Sequence, residues 1–378
     1  MKRIKYFAAL LTVTAVCLSS FLSCGRVVPK AEVRNTHSVQ QEMDDAGSEG
    51  EADTETDPET VAYICGRLID TLGSYDTKLT ISGHVSKEEM ADAVRMMKDK
   101  APDIFWMNGY TITTDSTMTQ IEFRVLNGYT ADDLSYMHML LEEAADEIIS
   151  QIPDYYDDYE KILYVHDQII EKTEYDTSGA AADRNGIWGT SYGCLVNGKA
   201  VCQGYAEAFT YVMNRLGIEN GFCCGDSYRG RHAWNYVKVD GEYYWIDVTW
   251  DDPESDFSEE GELRHTYFLI NDEMLLRTRS LDPVQKGLPE CTSLKDNYFQ
   301  RNGAYFSSYS SASMGRLLAS SGSGRTQEYM FSDEKVYKEA VKGLFEEDEI
   351  WELGDYVELG EEICYSQDDM MYVIKIGY

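Results

Sequence analysis

Three residues in the middle of the chain have the types and the order that nucleophilic acyl chemistry needs. Cys202, His232 and Asp247 follow one another along the sequence. A cysteine thiolate can attack a carbonyl carbon, an imidazole can take up and return the proton, and a carboxylate can hold that imidazole in one orientation. The three side chains are therefore a candidate nucleophile, base and orienting acid, provided that the fold brings them together.

The segment RHAWNYVKVDGEYYWIDVTWDDP, residues 231–253, predicts the strand pairing that would join the base to the acid. Asp240-Gly241 lies between two runs rich in apolar residues, which is the strongest short-range signal for a two-residue hairpin turn. With these two residues as the loop, Val239 faces Glu242 across the hairpin.

The same register sets the positions of the base and the acid. Continued along both strands, it places His232 opposite Thr249 and Asp247 opposite Trp234. His232 and Asp247 are then diagonal neighbours on one face of the sheet. Such neighbours lie about 7–8 Å apart between Cα atoms, and long side chains can meet across this distance. We therefore expect His232 to bridge Cys202 and Asp247.

The candidate nucleophile lies at the start of a predicted helix, which Gly217 would end as a C-terminal cap. Apolar residues recur at helical spacing after Cys202, at Tyr205, Phe209, Val212, Met213 and Leu216. A thiol at a helix N-terminus is close to the positive end of the helix dipole, and this favours the thiolate. The plainer interpretation of Cys202 is a small buried cysteine, which is a common kind of core residue.

Other residues of the same types are less well placed for these roles. Asp251 and Asp252 lie beyond the paired part of the predicted hairpin, and Cys194 falls in a predicted loop with no helix start behind it. We expect His166 and His265 to lie at helix and strand surfaces, as polar residues with satisfied hydrogen bonds.

The motifs VNGKAVCQGYAEAF and RHAWNYVKVDGEYYWIDVTWDDP resemble the bacterial branch of the transglutaminase-like superfamily. The preceding segments YEKILYVHDQIIEKTEYD and SYGCLVNGKAVCQGYA are also similar to what comes before the nucleophile in that family. The resemblance implies an α+β, papain-like core, in which a helix carrying Cys202 packs against an antiparallel sheet carrying His232 and Asp247. It also implies no metal and no cofactor, unlike the calcium-dependent animal enzymes.

An acyl-transfer site also needs at least two donors for the oxyanion that forms on the attacked carbonyl. The backbone N–H of Cys202 is the natural first donor. A side chain of the preceding loop should supply the second, and Tyr192 is the candidate, with Trp188 behind it. The plainer interpretation is that both aromatic residues pack the loop.

The chain is long enough for two or three domains, and its composition divides it into five segments. A signal peptide (1–23) and a disordered acidic tether (24–60) precede a small α+β domain (61–130). The catalytic domain (131–285) and a C-terminal α+β domain (291–378) follow. The two flanking domains share a strand, helix, strand, strand order, which suggests two related units of this topology on either side of the core.

The N-terminal sequence predicts export. Basic residues are followed by an apolar stretch that is short for a bilayer span, as in a signal peptide. Cys24, in FLSCG, stands where a bacterial lipoprotein carries its lipid-modified cysteine, and a lipid there would tether the protein to the outer face of a membrane. Plain secretion and an uncleaved anchor are the alternatives.

The charge excludes one class of partner. The formal net charge is −34, from 67 acidic and 33 basic residues, and the sequence shows no basic face with which to bind phosphates. Nucleic acid is therefore a poor candidate, and a protein or peptide at the cell surface is the expected substrate.

Two functions remain open from the sequence. The first is a cysteine enzyme that cleaves or transfers amide acyl groups through a thioester, with peptidase or amidase chemistry favoured. The second is a non-catalytic binding or scaffold lipoprotein on the same fold, since a fold by itself does not fix a function. The presence of Cys202, His232 and Asp247 together favours the enzyme.

Overall fold

The computed structural model describes residues 56–115, 117–178, 186–253, 263–283, 285, 287–320, 326–359 and 363–377. Helices and strands pack in a mixed α+β architecture, as the sequence predicts. The predicted signal peptide and the lipidation candidate Cys24 lie outside the described residues. Among those that are described, no helix combines the length and the apolar character needed to cross a membrane.

The N-terminal unit is a three-stranded antiparallel sheet with two helices. Helix α1 (Pro58–Gly73) begins within the last residues of the predicted tether, where the Asp57 side chain accepts hydrogen bonds from the first backbone N–H groups. The chain continues through β1 (Lys78–Ser82), α2 (Lys87–Lys100), β2 (Met107–Thr114) and β3 (Met118–Val125). The sheet order is β1-β3-β2, so the last strand is central.

The middle of the chain surrounds one buried helix with further helices and strands. Its helices are α3 (Ala131–Ile149), α4 (Asp158–Lys172), α5 (Ser191–Leu195), α6 (Cys202–Leu216), α7 (Val248–Asp251) and α8 (Asp272–Leu275). Its strands are β4 (Glu174–Tyr175), β5 (Lys199–Ala200), β6 (Asn220–Ser227), β7 (Gly230–Val239), β8 (Glu242–Ile246) and β9 (Arg279–Leu281). Strands β6 to β9 form a four-stranded antiparallel sheet in the order β8-β7-β6-β9, and α6 packs on it.

The central hairpin has the predicted turn but a shorter ladder than predicted. Val239 pairs with Glu242, and Asp240 and Gly241 both have positive φ, as a two-residue turn of this kind requires. Pairing ends where Asn235 faces Ile246, so the predicted pairs beyond it are wrong. The reason is that α7 begins at once, with the Asp247 carboxylate accepting a hydrogen bond from the backbone N–H of Trp250.

Helix α6 begins and ends where the sequence predicts. Cys202 is its first residue, Gly217 caps its C-terminus with a φ of 71°, and the predicted apolar stripe is buried up to Met213. One face of β7 lies against this helix, because the Asn235 side chain donates hydrogen bonds to the Ala206 carbonyl and to Thr210. The opposite face of β7 carries Trp234 into a second buried cluster.

The C-terminal unit resembles the N-terminal one in connectivity. It comprises α9 (Tyr298–Arg301), β10 (Tyr305–Phe306), α10 (Ser311–Ser320), β11 (Thr326–Phe331), α11 (Glu334–Val341), helical turns at Lys342–Glu346 and Glu349–Asp355, β12 (Cys364–Asp368) and β13 (Val373–Gly377). The sheet order is β10-β11-β13-β12. Leaving out β10, the last strand is again central, so both flanking units have the same strand, helix, strand, strand topology.

One strand prediction in this unit is wrong. The sequence around Asn302-Gly303 suggests a hairpin, but α9 ends there and β10 pairs in parallel with β11. Phe299, fully buried in α9, provides the apolar contact that keeps this segment helical against the core. Buried side chains between residues 61 and 269 form one continuous cluster, which crosses the predicted boundary between residues 130 and 131. The domain boundaries therefore stay a prediction.

Candidate active site

The thiol of Cys202 lies at the N-terminus of α6 and is partly exposed. Val201 provides no side-chain cap, so the first N–H groups of the helix are not covered by a capping side chain. The thiol is hydrogen-bonded to the His232 side chain and also contacts the backbone of Ala233. A helix dipole and an imidazole therefore act on the same sulfur atom.

His232 joins the thiol to a buried carboxylate. Its Nε2 lies 2.7 Å from Oδ2 of Asp247, which leaves Nδ1 to face the thiol. The imidazole stacks between two indoles, with ring centroids 5.8 Å from Trp234 and 5.2 Å from Trp250. The ring is thus held in one orientation by a hydrogen bond and two aromatic contacts, as a base that serves a fixed nucleophile requires.

The acid is held by a residue that the sequence analysis missed. Arg279, on β9, donates a hydrogen bond to the same Oδ2 of Asp247 that faces His232. Its buried guanidinium lies 4.1 Å from the ring centre of Trp250 and 4.6 Å from that of Tyr267. Nothing local in the sequence marks this arginine, because it reaches Asp247 from a strand at the far edge of the sheet.

These contacts shift the pKa values of all three acid–base groups in the directions that favour their charged forms. Burial opposes ionisation of Cys202, but the hydrogen bond and charge of His232 outweigh it and lower the pKa of the thiol. Burial also disfavours charged His232, whereas Asp247 and the thiol raise the pKa of this imidazole to about 9. His232 and Arg279 keep the pKa of Asp247 low in spite of burial. Together these shifts favour a thiolate beside an imidazolium.

The other acids and thiols of the region have different contacts. Asp251 accepts hydrogen bonds from the backbone of Tyr267, and Asp252 accepts one from the hydroxyl of Tyr205 at 2.5 Å. Cys194 lies in the short helix α5 and not in a loop, which corrects the sequence prediction. Burial raises the pKa of the Cys194 thiol to about 12, so it is an inert core residue.

The predicted oxyanion donor Tyr192 is a packed residue. Its ring stacks on Phe105 with centroids 5.0 Å apart, and burial raises the pKa of its hydroxyl. None of its described contacts reaches Cys202, so the oxyanion role of Tyr192 stays a prediction without a supporting contact.

The charge of Cys202 acts on Tyr175, a residue that the sequence analysis missed. Burial, followed by the negative charges of Cys202 and Asp247, raises the pKa of this phenol to about 12, so its hydroxyl remains a hydrogen-bond donor at neutral pH. The strand pair of β4 with β5 brings Tyr175 to the entrance of α6. The available signal was the aromatic residue in TEYD, three positions after the last residue of α4.

A small cleft of about 80 Å³ opens beside the start of α6. Gln203 and Glu207 of α6 form one side, and Lys98 of α2 pairs with Glu207 at 3.1 Å across it. Gln203 donates a hydrogen bond of 2.9 Å to Glu207, so its amide is held along the side of the helix.

Two histidines lie deeper than the sequence analysis expects. His166 is fully buried in α4, and His265 is buried beside it, with ring centroids 5.6 Å apart. The prediction of surface positions is therefore wrong. Both rings make hydrogen bonds with carboxylates, among them Asp167.

A thiol at a helix start, bound to an imidazole that a carboxylate orients, is the arrangement that cysteine-nucleophile enzymes use. Residues 142–249, which include all three side chains, match the family model of the transglutaminase-like superfamily. The match therefore assigns a transglutaminase-like domain to this central region of the chain.

Individual relatives match over a shorter range. Kyphoscoliosis peptidase from mouse and from human are each 26% identical to the chain over 132 residues. The aligned part is 31% of this chain and 20% of each relative, so the chain spans about a fifth of the length of these curated proteins. Among solved structures, the crystal structure of a TGase aligns with 50% of this chain and with 54% of the TGase chain, at 14% identity and a TM-score of 0.28.

Proposed function

We propose that this protein is a cysteine-nucleophile enzyme that cleaves amide bonds in peptides or isopeptides. Cys202 is the nucleophile, His232 the proton carrier and Asp247 the orienting acid. The observation that carries the proposal is the unbroken chain of contacts from the thiol through the imidazole to the carboxylate, with 2.7 Å between Nε2 and Oδ2. The match of residues 142–249 to the transglutaminase-like family model supports it.

The proposed reaction has two steps. The Cys202 thiolate attacks the amide carbonyl, which forms a C–S bond and a tetrahedral oxyanion. The C–N bond then breaks as the proton on His232 passes to the leaving amine, and a thioester remains. In the second step His232 removes a proton from water, which attacks the thioester and releases the acid together with the thiol. A primary amine in place of water would transfer the acyl group.

We favour hydrolysis over transfer, and the matched relatives that are named peptidases support this choice. The two outcomes are separated by incubating the protein with cell-surface peptides and a labelled primary amine. New peptide termini without label indicate hydrolysis, and label that depends on Cys202 indicates transfer. A protein that gives neither product would act as the binding lipoprotein considered above.

Alkylation by iodoacetamide, read at individual cysteines by mass spectrometry, tests the activated thiol without a substrate. Between pH 6 and 7 we expect Cys202 to react faster than the exposed Cys364, because the lowered pKa of the Cys202 thiol increases its thiolate fraction. The ratio should shrink above about pH 9, where His232 loses its proton and exposed thiols in general ionise. Equal rates at pH 6.5 would contradict the proposed ion pair.

We propose the Tyr175 hydroxyl as the second oxyanion donor in place of Tyr192, and the variant Tyr175→Phe tests this role. Removal of one such donor typically lowers kcat by about 10²–10³-fold with little change in KM. We expect a loss of this order for Tyr175→Phe, and no comparable loss for Tyr192→Phe, since the Tyr192 ring packs on Phe105. An unchanged kcat in Tyr175→Phe would remove this tyrosine from the reaction.

We further propose that the protein is exported and tethered by a lipid on Cys24. The basic residues, the apolar stretch and the FLSCG motif of the N-terminus support this location. Cys24→Ala is expected to move the protein from the membrane fraction of cells to the soluble one. If the variant still sediments with membranes, the lipid is not the anchor.

A further inference from the structure

A group of five buried or partly buried acidic and imidazole side chains lies outside the candidate active site. In spatial order it runs from Asp251 through His166, Asp167 and His265 to Glu328. The members come from α7, α4, the segment that precedes Phe268, and β11 of the C-terminal unit. The proposed acyl chemistry uses none of them.

The inner three members point their donor atoms at one another. Oδ1 of Asp167 lies 2.8 Å from Nδ1 of His166 and 3.2 Å from Nε2 of His265. One ligand atom from each residue lies within 4.8 Å of the other two. Two imidazole nitrogens and one carboxylate oxygen therefore converge on one small volume.

The outer two members hold the imidazoles from behind. Nε2 of His166 lies 3.2 Å from the Asp251 carboxylate, and Nδ1 of His265 lies 3.3 Å from the Glu328 carboxylate. Each histidine thus presents one nitrogen to the inner volume and the other to an acid. Histidines that bind metals are oriented in this way by carboxylates, which fix the tautomer and increase the basicity of the ligating nitrogen.

We infer that His166, Asp167 and His265 form a binding site for a divalent transition metal, with zinc as the best fit. Zinc accepts a mixture of imidazole and carboxylate ligands, commonly three from the protein and a water as the fourth. Calcium and magnesium require six or more oxygen ligands or a shell of waters, and two imidazoles do not suit them.

The surroundings provide both rigidity and access. Phe268 meets the ring of His166 edge-on at 5.2 Å, and Tyr298 stacks on His265 with centroids 3.9 Å apart. These contacts leave the imidazoles little freedom to turn away. The Asp167 side chain is 27% exposed, so its carboxylate is accessible to a metal ion from solvent.

A metal here would stabilise the fold. It would join α4 to the segment around His265. His265 in turn contacts Glu328 of β11, which pairs with Lys375 in the C-terminal sheet, so the link would extend to that sheet. Because a ligand that binds only the folded state raises its stability, saturating zinc is expected to raise the melting temperature by roughly 5 °C or more. This inference does not depend on the proposed amidase activity.

Zinc titration of the full-length protein, after removal of metal with a chelator, tests the inference. The Cys202→Ser background removes the reactive thiol as a competing ligand. We expect one equivalent of tightly bound zinc, a loss of affinity of at least about hundredfold in Asp167→Asn, and no change in His138→Gln. His138 is a suitable control because it also faces two acids, Asp103 and Glu142, but at the surface of α3.

A second experiment is needed if Asp167→Asn does not fold. In this experiment, cobalt is bound in place of zinc to the protein that keeps His166, Asp167 and His265. X-ray absorption of the cobalt-loaded protein should show scattering from two imidazoles, and visible absorption should be that of a four- or five-coordinate ion. The inference is overturned by the absence of one tightly bound zinc equivalent in the Cys202→Ser protein, by unchanged affinity in a folded Asp167→Asn, or by cobalt bound without imidazole scattering.

Discussion

Cys202→Ala is expected to abolish the cleavage of amide substrates, with kcat reduced by about 10⁵–10⁶-fold. The size of the loss follows from the role of the thiol, since no covalent intermediate can form without it. The fold should be unaffected, because Cys202 is partly exposed at the first position of α6 and alanine is the best helix former. The measurement is the rate at which new peptide termini appear, followed by mass spectrometry.

The matched control is Cys364→Ala, which removes an exposed thiol from β12 and should leave the rate unchanged. Circular dichroism and the melting temperature of both variants show whether folding was retained. Residual cleavage by a folded Cys202→Ala at more than about one thousandth of the original rate would assign the nucleophile elsewhere.

Arg279→Met is expected to lower the free energy of unfolding by about 3–5 kcal/mol at pH 7, since it leaves the buried Asp247 carboxylate with one cation fewer. Arg279→Lys should recover part of this loss. A lysine restores the charge, but it lacks the planar group that stacks on Trp250 and Tyr267. Urea unfolding of the three proteins gives the comparison.

The pH dependence separates loss of the ion pair from loss of packing. The pKa of Asp247 is lowered in the folded protein, so its contribution to stability is complete above the unfolded value of about 4 and is lost as pH falls through the folded value. The stability difference between the wild type and Arg279→Met should therefore narrow below about pH 4.

A difference that stays constant with pH would mean that the arginine acts through packing alone. Arg277→Met is the control, since the partner of Arg277 is an exposed acid, Glu273, and such pairs contribute about 1 kcal/mol or less.

Local sequence signals determined much of this protein. The turn at Asp240-Gly241 follows from a dipeptide that tolerates positive φ, and the span of α6 follows from its apolar spacing and from Gly217. Together with the motifs, they were sufficient to select Cys202, His232 and Asp247. Each of these signals acts over a few residues, which is why a sequence can reveal them.

The tertiary structure decided what depends on distant parts of the chain. Asp247 leaves the hairpin ladder to cap α7, Arg279 reaches it from β9, and His166 is buried against His265. No spacing rule links these residues, because their contacts arise only when helices and sheets pack. The sequence thus indicated which atoms could react, and packing determined which charges hold them in place.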